Sequence, residues 1–213
     1  MRTVDPAKHQ ARRRHILGAA ATLFAEKGYE RTTTAELCKA AGMSAGALFH
    51  YFPNKRAIFL AVLEDDGDGK AERLARARSA DDPWQALLDL VDFLAAPAAE
   101  PLVPQLVMEA MVQAYRDADI EALLSRGNAE ERATIEVLLA KAAAAGRIDP
   151  GLEPGPTATW VLALIASLYT SAATTPDFDP AEQLSTLRLI LRRFLRAQAR
   201  PGEASPASAR GAD

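Results

Sequence analysis

Apolar residues recur three and four positions apart through almost the whole chain, and no stretch alternates apolar with polar residues as a half-buried strand would. Glycine and proline divide this helical pattern into segments. Asp5 and Pro6 supply an N-cap and a first-turn proline; Ile16, Ala20, Leu23 and Phe24 then form one apolar stripe that stops at Gly28. Thr32 to Thr34 cap a short helix over about 33–41, Gly42 makes a left-handed turn, and Ser44 caps a third helix running to about Phe52. Pro53 ends it and Asn54 caps the next. Longer helices are predicted at 54–79, 83–96, 101–116, 118–146, 156–174 and 180–199, so the fold class is all-α with about nine helices. Within 54–79, the run Asp65-Asp66-Gly67-Asp68-Gly69 is a poor helix former, each glycine costing about 1 kcal/mol relative to alanine. It marks a break or a hinge, and its spacing is wrong for a calcium loop.

Composition adds little until the chain is divided. The 213 residues are 49% hydrophobic and 25% charged, a globular balance, with only the Pro/Ser/Ala-rich end, 200–213, expected to be disordered. A single cysteine, Cys38, excludes an intramolecular disulfide and is expected to be a small buried hydrophobe. No signal-like segment opens the chain, and the longest apolar run, Trp160 to Tyr169, has a buried-helix length, so a soluble cytoplasmic protein is expected, without a membrane partner. The net charge is −3, but residues 1–60 hold ten Lys/Arg against four Asp/Glu, and the remainder fifteen against twenty-four. A head of +6 therefore precedes a body of −9, which suggests that only the head meets a polyanion.

Residues 33–52 combine two short helices with a glycine turn, the plan of a helix-turn-helix. Leu37, Cys38 and Met43 would brace the interior, while Gly46 permits close approach of backbone or DNA. The residues Ile16-Leu17, Ala20, Leu23-Phe24, Glu26, Gly28-Tyr29, Thr33-Thr34, Leu37, Ala41-Gly42-Met43-Ser44, Gly46, Leu48-Phe49, Tyr51-Phe52, Asn54-Lys55 and Ile58-Phe59 resemble, in type and spacing, the N-terminal domain of the TetR/AcrR (tetracycline-repressor) family of bacterial transcription regulators. The likeness covers about the first quarter of the chain; beyond it only the succession of helices agrees. It implies a DNA-binding domain over 1–53 and an effector-binding and dimerisation domain over 54–199.

The resemblance places Ser44, Ala45, Gly46, Ala47, Phe49, His50 and Tyr51 on or beside the DNA-facing helix. Thr33 and Thr34, opening the preceding helix, and Lys55, opening the following one, would meet phosphates. Two departures matter. The family usually carries tyrosine where Phe49 stands, and Ala45 and Ala47 replace longer polar side chains. With no Arg, Asn or Gln on this helix, bidentate base contacts are missing, so discrimination is expected from thymine methyls, His50 and DNA shape. The basic cluster Lys8, His9, Arg12, Arg13, Arg14 and His15 either extends over phosphates or is a solvated helix start.

No catalytic motif, phosphate loop, dinucleotide fingerprint or metal-ligand spacing is present, and three histidines leave little for acid–base work, so neither an enzyme nor a metal or cofactor is expected. For an effector pocket the large side chains Trp84, Phe93, Met108, Met111, Tyr115 and Trp160 are the candidates. Glu109 interrupts an apolar run there, either toward a cationic ligand or as part of a solvent stripe with Gln105 and Arg116. For a two-fold interface the candidates are Leu164, Leu168, Leu184, Leu187, Leu191 and Phe194, with Leu195, on the last two helices; the other reading is that these fill the monomer core. The reading that results is a homodimeric repressor of double-stranded operator DNA, released by a small apolar molecule. A DNA-binding regulator without effector, or a helical carrier or enzyme with an incidental basic head, remain as alternatives.

Overall fold

The computed structural model describes residues 6–65 and 69–196; the Asp5 cap, the centre of the Asp/Gly run and the tail expected to be disordered lie outside them. Ten α-helices and no strand occur among the described residues: α1 (Pro6–Lys27), α2 (Thr34–Ala40), α3 (Ala45–Tyr51), α4 (Lys55–Glu64), α5 (Lys70–Arg78), α6 (Pro83–Ala95), α7 (Val103–Ala114), α8 (Ala118–Ala144), α9 (Pro154–Thr174) and α10 (Pro180–Phe194), with a 3-10 turn at Ala96–Ala99. The helix expected at 54–79 is two. It ends at Glu64 and restarts after Gly69, whose φ of 116° lies in the left-handed region.

The helix starts follow from their caps. The Asp82 carboxylate accepts from the amides of Trp84 and Gln85 ahead of α6, Asp117 does the same for Asp119 and Ile120 ahead of α8, and Asp179 for Ala181 and Glu182 ahead of α10. In α6 and α10 a proline follows at the first helical position, where its missing N–H costs nothing.

Two hydrophobic cores result, and α4 packs into the first of them. The first joins Ile16, Leu17, Ala20 and Phe24 of α1 to Leu37, Leu48 and Phe52, and takes in Ile58, Phe59, Ala61 and Val62 of α4. Phe24 and Phe59 meet edge to face with centroids 5.0 Å apart. Ala110 of α7 and Ile120 of α8 also belong to this core, so the head is completed by the body. The second core is built on α6, α8, α9 and α10 around Leu87, Leu90, Ile135, Leu138, Val161 and Leu191.

α9 is 21 residues long and apolar enough, by length and composition, to cross a membrane, which the run Trp160 to Tyr169 alone did not suggest. It packs against α6, α7, α8 and α10, yet only 28% of its most apolar stretch is buried within the chain.

Candidate nucleic-acid interface

The turn between α2 and α3 is locked by its own backbone. Gly42, at φ 61°, donates to the Lys39 carbonyl, and Met43 donates to that of Cys38, the paired bonds that close a helix with a left-handed residue. An alanine here would meet no neighbour but would be strained by its backbone angle. Ser44 Oγ then accepts from the Ala47 amide and starts α3. Of the seven residues of α3 only Leu48 is buried; it plugs the head core, with Phe52 behind it. That single anchor turns Ala45, Gly46, Ala47, Phe49 and His50 to solvent together, with Tyr51 half-buried at the edge. Open space surrounds Gly46.

The start of α1 is bound into the same surface. The His9 ring stacks on Tyr51 at 4.7 Å, Arg12 donates to the Gly42 carbonyl at 3.2 Å, and His15 Nε2 lies 3.3 Å from the Ala41 carbonyl oxygen. The Arg13 guanidinium sits 5.4 Å from the centre of the Phe52 ring. Part of the N-terminal basic cluster thus braces the turn and α3. Sequence spacing did not reveal this, because the contacts join residues 26 to 42 positions apart.

Thr33 forms a capping box with Glu36, whose carboxylate accepts from the Thr33 amide and hydroxyl, each at 2.9 Å. Lys27 also pairs with Glu36 and, with the Thr33 bonds, holds that carboxyl down to about 2. Thr34, next along, is half-buried. The Lys55 ammonium donates to the carbonyls of Tyr29, Thr32 and Glu30 at 2.8, 3.0 and 3.4 Å and lies 4.3 Å from the centre of the Tyr29 ring. All three acceptors lie on the α1–α2 loop, so in this arrangement Lys55 braces that loop.

The expected pocket residues are dispersed. Trp84 and Phe93 pack on the body core, and Met108 lines an open groove between α7 and α9. Met111 and Trp160 are exposed, Trp160 to 64%, and Tyr115 is 96% exposed. The expected interface residues divide as well. Leu168, Leu187 and Leu191 are buried in the body's own core, with Leu164 and Leu184 packed against it, because this stripe of α10 faces α9 and the 3-10 turn. The side chains left outward are Phe194 with Leu189, Ile190 and Trp160; Leu189 and Ile190 were not among the candidates because on α10 they are interleaved with arginines. No cluster of three or more His, Cys, Asp or Glu with metal-binding proximity occurs among the described residues.

Residues 16–62, which coincide with the α1–α4 core, match the family model described as bacterial regulatory proteins, tetR family. The N-terminal segment is thus similar to the tetR family. It is 43% identical over 88 residues to the HTH-type transcriptional repressor Rv1474c of Mycobacterium tuberculosis, an alignment spanning 41% of this chain and 43% of that protein. The fold extends the likeness across the body. GusR of Salmonella enterica superposes with a TM-score of 0.68 over 92% of this chain and 99% of its own, at 26% identity. A transcriptional regulator of Saccharomonospora viridis in complex with choline superposes with a TM-score of 0.75 over 87% of this chain and 98% of its own, at 18% identity, a likeness of fold.

Proposed function

We propose that the protein is a homodimeric transcriptional repressor, not an enzyme, that docks α3 in the major groove of operator DNA in the cytoplasm and leaves it when a small molecule enters the body. The observation that carries this reading is the solvent-facing row Ala45, Gly46, Ala47, Phe49 and His50 on a helix pinned by one buried leucine and braced by Arg12 and His9. A short rigid helix with small side chains approaches base edges closely, and the basic start of α1 lies alongside for phosphates. The tetR-like head and the repressor named above support it.

Dimerisation is supported by the outward apolar side chains Trp160, Leu189, Ile190 and Phe194 of α9 and α10, since a patch of this kind suits a self-complementary contact. Two heads placed by a two-fold axis reach half-sites about one DNA turn apart. Ligand response is supported by the choline-bound relative, whose body shares this helical arrangement. Titration of the full chain against the DNA upstream of its own gene tests the reading. Two chains should bind per site, with an affinity that falls steeply as salt rises. Binding by one chain, or binding indifferent to salt, would overturn it.

A further inference from the structure

Gln105, Met108, Glu109 and Val112 are spaced three and four apart on α7 and so share one face. Together with Ala173 and Thr174 at the C-terminal end of α9 they wall a groove of about 260 Å³. The polar groups there have one character. Among the described residues Glu109 has no Lys, Arg or His partner; its Oε1 accepts from Gln113 Nε2 at 2.9 Å. Gln105 Oε1 is buried without a hydrogen-bond partner, a state that buried acceptors rarely tolerate. α9 ends at this groove with no basic residue in its last turn, so the negative end of its dipole is uncompensated by its own sequence. Met108 and Val112 add apolar wall. By contrast, the charges lining the groove between α5 and α6 already have partners: Arg76 with Glu72, Arg73 over the Phe93 ring, and Asp89 with Gln85.

Resting on the ligand-responsive reading above, we propose that the α7–α9 groove binds an organic ammonium ion with a short apolar body. The ammonium faces Glu109, a turn of the Gln105 side chain brings its Oε1, buried and unpaired in the empty groove, round to accept from it, and the hydrocarbon lies on Met108 and Val112. A carboxylate of the same size would face Glu109 and the α9 terminus with like charge, and an alcohol would gain no ion pair.

The site also touches the head. A Cβ built on Gly28, at the C-terminal end of α1, would lie 3.1 Å from Glu109 Oε2, so the end of α1 sits close against this carboxylate. Gln113, which holds the other carboxylate oxygen, is buried in the same seam. An occupant that draws Glu109 toward itself alters the seating of α1, whose far end carries Arg12 and the helix-turn-helix contacts.

Calorimetric titration of the full chain with hexylammonium, 1-hexanol and hexanoate tests the proposal. Hexylammonium should bind at least about tenfold more tightly than either control. Glu109→Gln should weaken it about tenfold. Gln105→Leu should raise the Tm of the unliganded protein, since a buried unpaired acceptor is removed, yet weaken hexylammonium; a merely structural role would not give these opposite signs. Hexanoate or hexanol binding as tightly as hexylammonium, or affinities unchanged by both substitutions, would overturn the site. Repeating the titration on the protein–DNA complex separates the two readings. Release of DNA that disappears in both variants supports site and ligand response together. Binding without release keeps the site and overturns the response, whereas release that persists in both variants keeps the response and overturns the site.

Discussion

Arg56 of α4 grips Asp117 at the start of α8 with two parallel contacts, Nε to Oδ2 at 2.5 Å and a terminal nitrogen to Oδ1 at 2.7 Å. The same Asp117 carboxylate caps α8, and the arginine reaches on to Asp119 at 2.5 Å. One side chain thus ties the last helix of the head's core to the longest helix of the body, through the fork geometry that a lysine cannot reproduce.

The acid sensitivity of this tie has a definite sign. The Arg56 hydrogen bonds, then the two cap amides, hold the Asp117 carboxyl down to about 2. A carboxyl whose folded pKa lies below its unfolded value of about 4 stabilises the fold above that value and loses this contribution as pH falls toward the folded one. The Tm of the wild type should therefore drop between about pH 4 and pH 2 more steeply than that of Asp117→Asn, which has no such carboxyl to titrate. Parallel Tm profiles for the two proteins would count against the tie.

Ile120 lies on α8 but is buried in the head's core. Ile120→Ala should cost about 2–5 kcal/mol, as large-to-small core substitutions do. The loss should appear as faster hydrogen exchange in α1 around Ile16 and Leu17. If exchange quickened only in the body, the shared core would be wrong.

Lys55 separates bracing from phosphate contact. Lys55→Met removes three hydrogen bonds to the α1–α2 loop and should lower thermal stability, while leaving the slope of log affinity against log salt unchanged. Loss of a phosphate contact would instead reduce that slope by about 1.

Ile190→Glu places a charge in the outward apolar patch of α10. The native mass should fall to that of one chain, and affinity for a two-half-site DNA should drop by about a hundredfold or more as the second contact ceases to be intramolecular. The exposed Trp160 offers an optical check, its emission moving to the red when the wild type is diluted to monomers. A variant that remains dimeric would place the interface elsewhere.

The head was legible because its punctuation is local. Gly28, Gly42, Ser44 and Asn54 each act within a few residues, so turn and cap chemistry could be read directly. The body's faces were less so. Leu187 and Leu191 formed the stronger stripe on α10 and looked like an interface, but the stronger stripe is the one a chain buries first against itself. Ile190 and Phe194, interleaved with arginines, were left outward. Nor did spacing announce the inward turn of Lys55 or the grip of Arg56 on Asp117, since both depend on partners more than twenty positions away in sequence. The pocket candidates were chosen for size, whereas the groove between α7 and α9 is distinguished by two polar residues of unusual pairing, Gln105 and Glu109.

The interior shared by α1–α4 with Ala110 and Ile120 has a practical corollary for recombining family members. A chimera joined at Pro53 would cut through one hydrophobic core and pair α4 of one parent with α1 of another. Joined between Asp65 and Gly69, it would keep α1–α4 whole, and would transplant operator choice intact only if the residues at 110 and 120 travelled with the head.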